Sequence, residues 1–268
     1  MRTHGAKVFI TAWIATAAMW ALPAKMCAQQ EITMKPVLKI EIWSDVACPF
    51  CYIGRAHLMK ALENFEHGDA VEVEWKSFIL DPTLPSSTDR DLYSSLAERK
   101  GMPLEQVMQM TEGVNAMAAK AGLSVNFDEV KPVTTFEAHK MLQLAKRSDL
   151  GDDVKLRLFQ AYFEEGANPA DAETLVQIGT EAGLKSEDIR AALGDPAFAE
   201  AVNRDVAEAR SMGISGVPYF VIDRKYALSG AQPVATMLQA VEQAFSEKEA
   251  APVSQTEAAS CKPEGNCD

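Results

Sequence analysis

Histidine is scarce in this chain, four among 268 residues, which argues against a His-rich metal centre. Positive charge is also short: Lys and Arg total 26 against 38 Asp and Glu, a formal net charge of −12. A surface that neutralises phosphates needs clustered Lys and Arg, so nucleic acid is not an expected partner. No segment repeats at a fixed period and none is low in complexity. What remains is ordinary for a folded soluble chain: 47% hydrophobic and 24% charged residues, in a length that holds one large domain or two small ones.

The first 33 residues differ from the rest. Arg2 and Lys7 precede VFITAWIATAAMWAL, fifteen residues without a charge. This is the pattern of a secretory signal, and the run is short for a membrane span. The cleavage region PAKMCAQQ is imperfect, because cutting after Ala28 leaves the bulky Met26 two residues before it. Ala24-Lys25-Met26 is likewise a poor lead-in for lipid attachment at Cys27. The alternative is a start at Met34, just before the first strand. The expected location is periplasmic or secreted from Met1 and cytoplasmic from Met34, with no stable membrane insertion in the mature protein. Either way Cys27 is discarded, and four cysteines remain as two close pairs, Cys48/Cys51 and Cys261/Cys267.

Beyond the leader, LKIEIWS at 38–44 alternates Leu38, Ile40 and Ile42 against Lys39, Glu41 and Trp43, a strand period. Leu58, Ala61, Leu62 and Phe65 recur at helical spacing, so a helix follows the cysteine motif. VEVEWKSFIL at 71–80 alternates again. Strand, helix and strand at this separation predict a right-handed parallel βαβ unit. From 88 to 212 the pattern is helical, with Gly101, Gly122 and Gly183 as stops and Asp171 and Asp195-Pro196 as starts. Met102, Met108, Met110 and Met117 read as core and groove filler. PYFVID at 218–223 and KYALSG predict a hairpin, and AQPVATMLQAVEQAF a last helix. The polar, acidic residues 248–268 predict a mobile tail carrying Cys261 and Cys267. The plan is an α/β thioredoxin fold, residues 35–87 and 213–247, interrupted by an inserted all-helical subdomain at 88–212.

Two cysteines spaced as Cys48 and Cys51 could hold zinc, staple the fold or exchange electrons. Structural zinc usually takes two close pairs, but Cys261 and Cys267 have five residues between them and lie in the tail. A four-residue loop gains little from a staple, because short loops stabilise least. Electron exchange fits best. At a helix start the unpaired N–H groups and the dipole favour a Cys48 thiolate, Cys51 lies one turn on, and Pro49 suits the first turn.

The stretches IEIWSDVACPFCYIG at 40–54, TTFEAHKMLQLA at 134–145, FQAYFEEG at 159–166 and GISGVPYFVIDRKYALSGAQP at 213–233 resemble the DsbA-like thioredoxin-fold oxidoreductases, in their FrnE-type branch. The resemblance spans nearly all of 38–245. It implies Cys48 as the exposed nucleophile, Cys51 as the resolving thiol, and a cis Val217-Pro218 peptide facing them. Pro49, Phe50 and Val217 then border the substrate. It implies no cofactor beyond the cysteines. Its partners would be proteins or small molecules carrying thiols or disulfides, glutathione among them. DsbA itself has His between its cysteines; Pro49-Phe50 lacks that cation, which predicts a less acidic Cys48 and a milder oxidant. Arg224 stands where similar sequences often have Gly, which predicts a longer hairpin loop.

Asp45, three residues before Cys48, reads as a helix-start cap or loop carboxylate, or as a proton shuttle for the thiols. His139 reads as a packing or surface residue. Cys261 and Cys267 read as a tethered second redox pair or as an incidental one. Two other functions compete. Glutathione-dependent transferases and isomerases, the kappa class and the 2-hydroxychromene-2-carboxylate isomerases, resemble the same fold but usually place Ser at the nucleophile position, which the intact cysteine pair opposes. A chaperone would suppress aggregation even without both cysteines.

Overall fold

The structure, a computed structural model, describes residues 38–250. The leader, with its signal-peptide reading, and the Cys261/Cys267 pair lie outside the described residues. Four strands form one sheet in the order β2-β1-β3-β4: β1 (Leu38–Ser44), β2 (Val71–Ser77), β3 (Tyr219–Ile222) and β4 (Tyr226–Ser229). β1 runs parallel to β2 and antiparallel to β3, and β3 is antiparallel to β4. Helix α1 (Pro49–Glu63) crosses from β1 to β2. Helices α2 (Leu92–Lys100), α3 (Leu104–Lys120), α4 (Phe136–Arg147), α5 (Gly151–Phe163), α6 (Ala172–Glu181), α7 (Ser186–Gly194) and α8 (Pro196–Ser211) form the inserted block, and α9 (Val234–Ala250) ends the described chain. This is a thioredoxin fold with a helical insertion. The last helix runs on to Ala250, past the expected start of the tail at 248.

The punctuation expected from sequence is present. Gly101 caps α2 at φ 62°, and Asp171 and Asp195 accept hydrogen bonds from Thr174 N and Ala197 N to start α6 and α8. Such caps satisfy N–H groups that the first helical turn leaves without partners.

The alternation in β1 predicts one wet face, yet both faces are covered. Leu38, Ile40 and Ile42 pack with Leu58 of α1 and Met237, Val241 and Phe245 of α9. Trp43, on the other face, packs with Ala209 of α8, Ile214 and Val221, and its indole N–H donates to Asp205 O at 3.1 Å. Glu41 is only 3% exposed. Lys76 and Arg224 pair with it, as a buried carboxylate requires.

The hairpin corrects an expectation. The turn is tight, not extended: Lys225 N donates to Ile222 O at 3.0 Å, and Asp223 and Arg224 take φ of 50° and 57°. Arg224 accepts this left-handed backbone because its guanidinium is held by Glu41 and by Glu208, the latter at 2.8 Å.

The helical block is not a separate body. One core joins Val46, Cys48, Cys51, Tyr52 and Ile53 to residues of α3 through α7. Tyr52 stacks on Phe159 with ring centroids 5.1 Å apart, and Arg55 of α1 grips Asp152 of α5. The block therefore presses on the very turn that carries the cysteine motif.

Candidate active site

Cys48 occupies the N-cap of α1 with extended backbone (φ −100°, ψ 109°), and Pro49 opens the helix. Proline lacks the N–H that a first turn cannot pair. Cys51 N donates to Cys48 O at 3.0 Å, so the two cysteines share one helical turn, and both thiols are free. Opposite them the Val217-Pro218 bond is cis. The Cys48 thiol points at the Val217 carbonyl, Sγ to O 3.4 Å. Gly54 permits this approach, since a Cβ there would lie 3.1 Å from both Pro218 Cγ and Phe220 Cζ.

Cys48, Pro49, Phe50, Val217 and Asp45 line one cavity of about 580 Å³. Cys51 is fully buried behind it, and Pro218 packs against Gly54 instead of facing the cavity. The structure modifies one implication of the family resemblance: Cys48 is not exposed on the surface but 4% accessible. The helical block and the loop after β2 enclose it, leaving the cavity as its way to solvent.

Burial works against the thiolate that the helix start favours, in the direction of the less acidic Cys48 expected from Pro49-Phe50. The Cys48 thiol is pushed well up, first by its hydrogen bond with Cys51, then by burial, then by the charges of Cys51 and Asp45; only the Cys51 backbone N–H acts the other way. The helix start is thus outweighed by the neighbouring thiol and the loss of water.

Beneath the motif lies a buried polar cluster. Asp45, 2% exposed, accepts from Leu80 N at 2.7 Å, Thr135 Oγ1 at 2.7 Å and Ala47 N at 3.2 Å. His139 Nε2 lies 3.5 Å from the same carboxylate. Burial raises the Asp45 pKa, but His139, then the Leu80 N–H and the Thr135 hydroxyl, bring it below its ordinary value. His139 is itself fully buried and shifted down by that burial, with Asp45 opposing. Asp45 ties the β1–α1 turn to the loop after β2 and to the start of α4.

Sequence reasoning left out His139, Thr135 and Lys155. Lys155 of α5 is 1% exposed, with its ammonium 4.8 Å from the Phe159 ring centroid and 5.5 Å from that of Trp75. Burial pulls its pKa down to about 8, while Cys51, Asp45 and Cys48 partly restore it. A signal existed: Lys155 stands at helical spacing with Phe159 and Tyr162, on the face of α5 that also carries Leu158 and packs inward.

Fold and site together are those of a thiol–disulfide oxidoreductase of the DsbA type: a thioredoxin sheet, a helical insertion and two cysteines at the start of the first helix. The family model described as DSBA-like thioredoxin domain matches residues 39–242, and the chain belongs to that family. It is 31% identical over 185 residues to YwbO of Bacillus subtilis, across 68% of this chain and 86% of that protein. Among solved structures it is similar to a probable DsbA oxidoreductase from Streptomyces coelicolor, with a TM-score of 0.77 and 38% identity over 85% of this chain and 97% of the other. The cytosolic disulfide reductase DsbM from Pseudomonas aeruginosa, solved with GSH, shares the fold at TM-score 0.53 and 18% identity, covering 79% and 98% of the two chains. Among the described residues no helix is long and apolar enough to cross a membrane.

Proposed function

We propose that this protein exchanges disulfides with thiol-containing substrates through Cys48 and Cys51. The observation that carries the reading is that Cys48 faces the cavity, beside the Val217 carbonyl, whereas Cys51 is buried one turn behind it. Access, not acidity, makes Cys48 the attacking sulfur. In the reducing direction the Cys48 thiolate attacks a substrate disulfide, forms a mixed disulfide and expels one substrate thiolate. The Cys51 thiolate then attacks Cys48 Sγ, releases the second substrate thiol and leaves the Cys48–Cys51 disulfide. The dithiol loses two electrons and two protons, and the substrate gains them. In the oxidising direction the steps reverse.

Val217 forms the wall against which the substrate sulfur is aligned, with Pro218 behind it against Gly54 and with Pro49 and Phe50 also lining the cavity. Asp45 holds the motif in place; with its oxygens engaged by fixed donors, its effect on the thiols is through position and charge. Cys261 and Cys267 are either a tethered second dithiol or an incidental pair; replacing both with Ser should slow disulfide turnover in the first case and leave it unchanged in the second.

The test is a titration in glutathione redox buffers, with thiols trapped and the Cys48/Cys51 peptide followed by mass. The expected result is a reversible two-electron transition. Because burial and the Cys51 contact keep Cys48 protonated, the reduced form lacks DsbA's thiolate stabilisation, and the potential should fall well below DsbA's, about −120 mV. Absence of any reversible transition sinks the oxidoreductase reading and favours a glutathione transferase or chaperone.

A further inference from the structure

We propose that the cavity beside Cys48 binds the apolar, carboxylate-bearing body of a low-molecular-weight disulfide. This rests on the exchange chemistry proposed above and names its substrate class. The size fits: about 580 Å³ lies in the range of small-molecule sites, roughly 300–1,000 Å³. The walls are chiefly apolar, with Leu84 and Leu92 on one side and Val114, Val133 and Phe163 on the other. Phe50, Leu80 and Met110 line the same cavity while remaining 39%, 48% and 36% exposed, which makes an apolar lip at its mouth.

Access decides between a small substrate and a protein. At 4% exposure, Cys48 cannot meet a disulfide held on a folded surface, whereas a small molecule can pass the lip and reach it. Charge narrows the class further. Four charged residues line the cavity: Asp45, Asp81, Arg99 and Lys100. Asp45 is engaged by its donors, and Asp81 pairs with Arg99 at 2.7 Å. The four charges cancel in sum but are separated: Asp45 is buried beside Cys48, whereas Lys100, exposed in the last turn of α2, has no ion pair among the described residues and suits a carboxylate on the solvent side of the cavity. Glutathione fits poorly, because its peptide groups and second carboxylate would lose water against apolar walls without gaining partners.

The step balances as written above: the small disulfide takes two electrons and two protons from Cys48 and Cys51 and leaves as two thiols. Further turnovers draw on a low-molecular-weight thiol reductant that reaches Cys48 through the same cavity.

The experiment uses the full chain with Cys51→Ser, which halts at the mixed disulfide, and follows Cys48 modification by mass. The probes are 2,2′-dithiodibenzoate, neutral 4,4′-dithiodipyridine and glutathione disulfide. Dividing each rate by that of N-acetylcysteine with the same probe removes intrinsic reactivity. The dibenzoate should react at least about tenfold faster than glutathione disulfide on this scale, as expected for burying one aryl group, and its rate should saturate with concentration. Lys100→Gln should narrow its advantage over dithiodipyridine about threefold, the size of a partly exposed ion pair. Leu96 of α2 also lines the cavity, and Leu96→Arg, with its fold checked by circular dichroism, should abolish saturation; Met110→Glu at the lip should weaken it if Leu96→Arg fails to fold. Equal normalised rates overturn the proposal, as does faster reaction with a disulfide in a denatured protein, and both leave the exchange chemistry intact. If no probe reacts and the wild type forms no Cys48–Cys51 disulfide in glutathione buffers, the oxidoreductase reading itself fails.

Discussion

Lys155 offers a test of how this core carries charge. Its ammonium is 1% exposed, against Phe159 and Trp75. Burial lowers its pKa from 10.5 to about 8, the charges of Cys51, Asp45 and Cys48 acting in the opposite direction. Since the unfolded chain holds this proton more tightly, keeping Lys155 charged costs the native state about 3 kcal/mol at pH 7. Lys155→Met keeps the length of the stem and removes the charge. Two cation–π contacts are lost, together worth about 1 kcal/mol, which leaves the variant about 2 kcal/mol more stable at pH 7. The sign with pH follows. Between pH 8 and 10.5 the unfolded wild type binds more protons than the folded one, so wild-type stability climbs with pH there, while the Met variant does not follow. The gap should close across that window. Urea unfolding of both proteins, reduced with a phosphine, at pH 7, 8.5 and 10 reads it directly. A variant less stable than wild type at pH 7, or a gap flat to pH 10, refutes the reasoning.

Three further outcomes are expected. Asp45→Ala strands the Leu80 and Ala47 N–H groups and the Thr135 hydroxyl and should cost about 3 kcal/mol, read by urea unfolding; a loss below about 1 kcal/mol contradicts the clamp role. Gly179→Ala would put a Cβ 2.6 Å from Ile189 Cδ1 and 2.8 Å from Met141 Sδ, an overpacking worth about 1–3 kcal/mol, seen as a lower thermal midpoint. Glu74 ionises at about 2 even though burial opposes it, because Lys146 at 2.8 Å and Lys39 at 2.5 Å hold its charge. Its contribution is present above pH 4.5 and lost as pH falls toward 2. Glu74→Gln should remove about 1–2 kcal/mol of that dependence once solvent screening is allowed for, and identical acid-denaturation curves would contradict it.

Much of the framework was legible along the chain because the signals are local. The alternation of Leu38, Ile40 and Ile42 marks β1, and Asp195-Pro196 marks the start of α8, through backbone preferences that act within a few residues. Cys48, Pro49 and Cys51 announce themselves by spacing alone. Other features were illegible for an equally physical reason. Nothing near Glu41 says that Arg224, 183 residues on, will neutralise it. Arg224 looked like the wrong residue for a tight turn because its partners Glu41 and Glu208 come from other elements. His139 looked like an ordinary helical residue until α4 brought it to Asp45.

By itself, the sequence determined the class of chemistry: two cysteines a turn apart at a helix start, set in a strand–helix–strand frame with a helical insertion. Only the tertiary structure decided what that chemistry can reach. Packing of the helical block on α1 buried Cys51 completely and confined Cys48 to one cavity. The same packing removed water from the thiols, and their mutual hydrogen bond and Asp45's charge then raised the Cys48 pKa against the pull of the helix. Helix starts and cysteine spacing are local and can be read in order; desolvation and charge pairing depend on which distant surfaces meet.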